Sequence, residues 1–364
     1  MKLECSTEKL KEVLVKIVKI TNKNLSLPIL DSILLIASGK SLKLRATNLS
    51  LGVEIEIPAK VEKEGIVIVK GDILSNLFLN INEPRVSLSL NKDNFCVKTI
   101  KNNILIKSQS SDDFPTIPIV SGKNFIISAV KFIEGIKSVY YSASISDIKP
   151  EISSVYIYPE ESDLIFVATD SFRLAEKRIK INGLDDFPGI LIPFKNINEI
   201  IRLLGDTTEE LTVCFSKNQI SFSYNGIYLT SRIIDGVFPD YRQIIPKIKN
   251  TEIIVLKQDL LNALKLSNIF SDKFNQVTLV ANPIKKIFEI EAKNIDVGEN
   301  KTQLSAVLSG GEIKINLNQK YFIDCFQSIH KDSVTLSLEH YNKPIIIKGV
   351  GDKSFVYLIM PMNR

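Results

Sequence analysis

The stretch from Val167 to Ile179, VATDSFRLAEKRI, sets an acid and an arginine three residues apart, just past an apolar, strand-like run. Asp170 beside Arg173 has the residue types of a general acid with its charge partner, and Asp235 and Asp240 offer further carboxylates. The same pair also suits a turn, because a loop Asp accepts hydrogen bonds from the backbone two or three residues on. Other reactive types are sparse. His330 and His340 have no Ser or Cys nucleophile in a recognisable setting. Neither G-x-x-x-x-G-K-[ST] nor G-x-G-x-x-G nor H-E-x-x-H occurs, and GVGDKS at Gly349 lacks the glycines of a phosphate loop. Cys5, Cys96, Cys214 and Cys325 lie far apart, so buried, reduced thiols are expected rather than a disulfide framework or a zinc site.

The elements that would position this loop recur along the chain. LKLRATNLS at Leu42, LIFVATDSF at Leu164 and IFEIEAKNI at Ile287 are each an apolar run followed by Ala-x-Asn/Asp. Thr47 to Thr169 is 122 residues and Thr169 to Lys293 is 124, a regular period. Each unit opens with a short strand feeding an amphipathic helix, expected over Thr7 to Ile20, Ser128 to Tyr141 and Gln258 to Phe270. A second helix is expected near Asp72 to Ile81, Asn196 to Leu204 and Asn318 to Ile329, with Asn196 and Asn318 as N-caps. Asn225-Gly226 marks a hairpin. Three α+β units, residues 1–121, 122–247 and 248–364, are the simplest organisation. An Asx residue stands at the same place in each unit, at Asn48, Asp170 and Asn294, which favours the turn reading of Asp170 over the catalytic one.

Composition narrows the class. At 364 residues with 45% hydrophobic and 24% charged, the chain reads as a folded protein of more than one domain. Its net charge of +5 is mild, so affinity for polyanions depends on where the lysines sit. Met1 is followed by Lys2, Glu4, Glu8 and Lys9 with no apolar leader, and no later run has the length of a membrane span, so a cytoplasmic protein without membrane contact is expected. Ser171 to Leu174 offers an exposed aromatic, a fork-shaped cation and an aliphatic residue, a mixture that suits peptide recognition or packing between neighbouring units.

Taken together, the three units, LPILDSILL at Leu27, VATDSFRLA, DGVFPDYRQIIPK at Asp235 and the terminal YLIMPMNR resemble the bacterial DNA polymerase III beta subunit, the sliding clamp, along the whole chain. The resemblance implies an α+β fold of three tandem DNA-clamp (processivity-fold) domains, in a ring-forming homodimer with helices inside and sheets outside. Twelve helices at about 10 Å each leave a bore of roughly 28 Å, wide enough for a duplex and water. Such a ring encircles double-stranded DNA without reading its sequence and performs no bond chemistry, so no catalytic residue, metal or cofactor is implied. Implied partners are the DNA polymerase III alpha subunit, the clamp loader, and other polymerases and repair proteins that carry clamp-binding motifs, commonly a glutamine followed by aliphatic and aromatic residues. The implied location is the bacterial cytoplasm, at the nucleoid.

The resemblance also implies sites. A peptide-binding pocket would take in Ile152, the loop Thr169, Ser171, Phe172, Arg173 and Leu174, then Pro239 and Ile244, and the tail Leu358, Ile359, Met360, Pro361 and Met362. Flexible methionines suit a site that serves many partners. Ser171 and Phe172 replace a usual glycine and histidine of the family pattern. DNA would be met by Lys70, Lys195, Arg242 and Gln243, with Asn24 and Gln243 neutral where relatives can carry arginine, and by helix cations such as Lys9, Lys16, Lys131, Arg202, Lys265 and Lys320. At the ring joint, Ile104 and Ile106 would meet Ile269 and Phe270 of the partner subunit. The other readings are a non-replicative clamp paralogue, a monomeric scaffold with the same pocket, and a hydrolase using Asp170.

Overall fold

The computed structural model describes residues 1–21, 27–109, 113–184 and 186–362, so Asn24 lies outside the described residues. The helices come in pairs, one pair per repeat: α1 (Thr7–Ile17) and α2 (Gly71–Leu79), α3 (Ala129–Val139) and α4 (Phe194–Leu204), α5 (Lys257–Ser267) and α6 (Gln319–Asp324). In α1 the stripe Leu10, Val13, Leu14 and Ile17 is buried as its spacing dictates, and Ser6 caps the start by accepting from the Lys9 N–H. Asn318 caps α6, accepting from Lys320 and Tyr321 N–H groups at 3.0 and 3.3 Å. Asn196 is not a cap. It is the third residue of α4 and is buried, because the helix starts earlier, at Phe194. The last helix is shorter than its pattern suggests, continuing after Asp324 as a 3-10 turn over Cys325–Ser328.

The chain divides into two compact units, Met1–Phe132 with Lys195–Ile233, and Ile133–Phe194 with Ile234–Arg364. The first is built on a 12-stranded antiparallel sheet, the second on a nine-stranded and a four-stranded sheet. In the second unit α3 lies directly on the strand Asp163–Thr169: a Cβ on Gly135 would stand 2.3 Å from the Phe166 ring, so only glycine permits that approach. The expected hairpin at Asn225-Gly226 joins Gln219–Tyr224 to Ile227–Arg232 with both turn residues at positive φ, 39° and 76°. Cys5, Cys214 and Cys325 are buried thiols and Cys96 is half-buried; burial pushes the Cys5 thiol up to about 12.

Each unit contains the same kind of seam. In the first, Ile227–Arg232, the last strand of the middle repeat, pairs antiparallel with Leu51–Lys63, which follows the Ala-x-Asn turn of the first repeat. In the second, Phe355–Ile359, the last strand of the third repeat, pairs antiparallel with Arg173–Lys180, which follows the Ala-x-Asp turn of the middle one. Among the described residues, two strands in equivalent positions lack this second neighbour. Asn103–Lys107, the last strand of the first repeat, ends the 12-stranded sheet, and Gly298–Gln303, after the third Ala-x-Asn turn, ends the four-stranded one.

Candidate functional site

The loop at Thr169 is a turn closed by its own side chains. Thr169 Oγ1 donates to the Arg173 carbonyl at 2.7 Å and accepts from the Ser171 N–H at 3.1 Å. Asp170 Oδ1 accepts from the N–H groups of Phe172 and Arg173, both at 3.0 Å. Ser171 stands at φ 76°, in the left-handed region that favours glycine. The first repeat makes the same bonds: Thr47 Oγ1 to the Leu51 carbonyl at 3.0 Å, and Asn48 Oδ1 from the N–H groups of Ser50 and Leu51 at 3.0 and 2.8 Å, with Leu49 at φ 70°. In the third repeat Asn294 Oδ1 accepts from the Asp296 N–H at 3.0 Å. Turn formation therefore accounts for the Asx residue in every copy. Both Asp170 oxygens are occupied, since Oδ2 takes Arg173 Nε at 2.9 Å.

Arg173 sets the middle turn apart. Its side chain is buried, bridges Asp170 to Asp324 on α6 with Nη1 to Oδ2 at 2.5 Å, and lies 4.4 Å over the ring of Tyr321, also on α6. Burial acts against the charge, but Tyr357, Asp170 and Asp324 more than offset it and raise the pKa, so the guanidinium stays protonated. Its donors are thus turned inward rather than toward a ligand. Tyr321 and Asp324 were not foreseen, because nothing in the local pattern links α6 to a loop 151 residues earlier.

The other residues of the expected pocket are divided between a buried set and a surface set, and of the thirteen only Ile244 and Met360 line the cleft found there. Leu174 and Leu358 face each other across the seam and are buried with Phe238 and Tyr241, and Ile359 is buried opposite Arg173. The tail crosses the loop, the Met360 N–H donating to the Phe172 carbonyl and the Met362 N–H to the Asn316 carbonyl, both at 2.8 Å. Thr169 is buried within its turn, while Ser171, Phe172, Pro239 and Ile244 are exposed and Ile152, Met360, Pro361 and Met362 are half-buried. A cleft of about 390 Å³ opens between the linker residues Ile244, Ile245 and Pro246 on one side and Lys343, Pro344 and Met360 on the other. Lys343 and Pro344 come from a loop with no motif that would have singled them out.

Of the other candidate residues Gln243 lines the cleft, and the rest lie apart from it or beside it. Lys70 precedes α2 and pairs with Asp31 at 3.3 Å; Lys195 is exposed on α4. Arg242 is bound to Tyr158 and Glu160, and Gln243 Nε2 donates to Asp240 Oδ2 at 2.6 Å. Ile104 and Ile106 turn inward from Asn103–Lys107, half-buried and buried, whereas Leu105 between them is 63% exposed. Ile269 is 62% exposed and Phe270 lies beside Gly298–Gln303, within 3.7 Å of a Cβ built on Gly298.

Three family models match in sequence order: the DNA polymerase III beta subunit N-terminal domain over residues 1–118, its central domain over 126–240 and its C-terminal domain over 242–363. The chain belongs to this family. The beta sliding clamp of Staphylococcus epidermidis is 24% identical over 349 residues, 93% of each chain. Among solved structures, the DNA polymerase sliding clamp from Bacillus subtilis superposes with a TM-score of 0.96 at 23% identity, covering 100% of this chain and 99% of that one. A sliding clamp from Pseudomonas aeruginosa bound to griselimycin gives 0.94 at 22% identity, with both chains covered fully. As a sliding clamp the protein is a non-catalytic processivity factor of DNA replication, and its partners are DNA and a DNA polymerase. Among the described residues no helix is long and apolar enough to cross a membrane.

Proposed function

We propose that this clamp closes head to tail as a homodimeric ring around duplex DNA in the bacterial cytoplasm, with domains at 1–121, 122–247 and 248–364, and that the cleft beside the middle turn takes clamp-binding peptides. The observation that carries the ring is the incomplete seam. Two of three equivalent joints are made within the chain, and the strands that would make the third, Asn103–Lys107 and Gly298–Gln303, each end a sheet. An unpaired edge is a ready template for the matching edge of a second copy. Exposed Leu105 and Ile269 and the aromatic Phe270 stand on or beside those edges, where apolar anchors would hold the joint.

The DNA contacts follow as dispersed cations rather than base readers. Lys195 is exposed on α4, and Lys70 keeps half its side chain in solvent despite its pairing with Asp31. Lysines of this kind bind phosphate without sequence preference, which permits sliding. The peptide reading rests on an exposed Phe172, Ile244 and a methionine tail over an apolar floor, and the polymerase alpha subunit, the clamp loader and repair proteins are the proposed owners of such peptides.

Three experiments test the whole. Loaded clamp should stay on nicked circular DNA and run off linearised DNA, and Ile269→Ala with Phe270→Ala should shift the protein toward monomer at low concentration. Equal retention on both DNAs would remove the ring, and an unchanged dimer mass would count against this joint. Deleting Met360 to Arg364 should weaken a fluorescent motif peptide by more than a hundredfold, several kcal/mol, while the dimer survives; equal affinity would place the partner site elsewhere.

A further inference from the structure

We propose that Arg242 is a positioning residue of the peptide pocket: it locks the linker turn Tyr241–Ile244 onto the strand Ser154–Glu160 and so fixes where Ile244 stands. The inference rests on the pocket reading above. By resemblance Arg242 is a DNA contact, but although half its side chain is in solvent, its bonds run to the neighbouring strand. Nη2 donates to the Tyr158 hydroxyl at 2.9 Å and binds the Glu160 carboxylate, and the guanidinium lies 5.9 Å from the Tyr158 ring centre.

These contacts close a circuit. Glu160 also takes Arg178 Nη1 at 2.9 Å, and Arg178 Nε donates to Glu176 at 2.8 Å. The Tyr241 hydroxyl donates to the other Glu176 oxygen at 2.5 Å and lies 2.7 Å from the Tyr158 hydroxyl, which returns the circuit to Arg242. Glu176 is buried and takes one bond on each oxygen from this circuit. Burial works against ionised Glu160, but the bonds from Arg242 and Arg178 outweigh it and hold its carboxyl below the ordinary glutamate value, so the lock is charged at neutral pH.

The lock bears on the pocket through one short turn. The Ile245 N–H donates to the Arg242 carbonyl at 3.3 Å, closing the 3-10 turn that carries Ile244 to the cleft wall. Phe238 and Tyr241 anchor the start of that turn in the core, whereas Ile244 beyond it is 46% exposed. Ile245 packs against the same core on the far side, so Ile244 is held between that contact and Arg242, the charged attachment of the turn to the strand. A phosphate would have to compete with Glu160 for this cation, while a peptide needs only that the wall stay in place.

The test measures motif-peptide affinity and binding to a short duplex separately, in Arg242→Lys, Glu160→Gln and the control Ile244→Asp. Lysine keeps the charge but loses the planar guanidinium whose Nη2 serves both partners. Arg242→Lys and Glu160→Gln should each weaken the peptide about five- to twentyfold and leave duplex binding as in the parent, or slightly tighter once Glu160 is neutral. Parent-like peptide affinity in both, with Ile244→Asp losing the peptide, would overturn the positioning role alone. An Ile244→Asp protein that binds peptide like the parent would remove the pocket reading and this role with it.

Discussion

The two seams within the chain use one backbone plan and opposite chemistry. At each, the turn after Ala-x-Asx reaches the third residue of the next repeat's second helix. In the first seam that residue is Asn196 on α4, whose Nδ2 donates to the hydroxyls of Ser50 and Ser231 at 3.0 and 2.9 Å. In the second it is Tyr321 on α6, over which Arg173 stacks while bridging Asp170 and Asp324. A neutral amide satisfied on both sides has little to offer a ligand. An ionic staple beside an exposed Phe172 and a methionine tail leaves the strongly held seam next to an open apolar surface. The difference teaches that the repeated turn is scaffold, and that what is added to it sets the second seam apart as the proposed site.

The largest effect should come from making the second seam resemble the first. Arg173→Leu, which copies Leu51, leaves Asp170 and Asp324 facing each other without their cation and should cost about 3 kcal/mol, since breaking a buried pair strands the remaining charge. Asn196→Ala in the first seam strands only hydroxyls and should cost about 1–2 kcal/mol. Urea unfolding followed by tyrosine fluorescence measures both. Equal losses would mean that the staple is no stronger than the amide.

The contrast also explains what could be read in advance. The repeat, the helix pairs and the turn were legible because Ala-x-Asx, helical periodicity and Asn-Gly act locally: a threonine and an Asx residue close the turn with bonds no more than four residues apart. Asn196 resembled a cap because a polar residue before an apolar stripe is the usual signal; its true partners, Ser50 and Ser231, are 146 and 35 residues away. The partners of Arg173 and Arg242 were hidden for the same reason. Charged pairs across a seam leave no periodic trace, so Asp324, Tyr321 and Glu160 emerge only from the fold.

A smaller change separates the two jobs of Asp170. Asp170→Asn keeps the Oδ1 acceptor that Asn48 supplies in the first turn and loses only the ionic half of the Arg173 contact, so it should cost about 1 kcal/mol. Asp170→Ala loses the turn bonds as well and should cost about 2–3 kcal/mol. DNA retention by Asp170→Asn should match that of the parent, because no step of clamp function uses the acid. Complete loss of function in the Asn variant with its fold intact would revive a catalytic role.

The smallest effect tests whether the turn itself is equivalent in the two seams. Leu49 and Ser171 hold φ of 70° and 76°, where an L side chain crowds its own backbone by about 1 kcal/mol or more and glycine does not. Glycine also frees the unfolded chain, which removes part of the gain, so Leu49→Gly and Ser171→Gly should each stabilise by about 0.5 kcal/mol. Leu49 is 43% exposed and Ser171 is exposed, so neither change empties a core. Equal shifts of the urea midpoint would make the left-handed residue a shared property of the scaffold. Ser171→Gly has a second readout, because Phe172 follows it and its carbonyl holds the Met360 N–H at 2.8 Å. If the turn only carries the site, motif-peptide affinity should change less than about twofold. A large gain or loss of affinity without a matching stability change would show that Ser171 itself shapes the pocket, and the two turns would no longer be the same device.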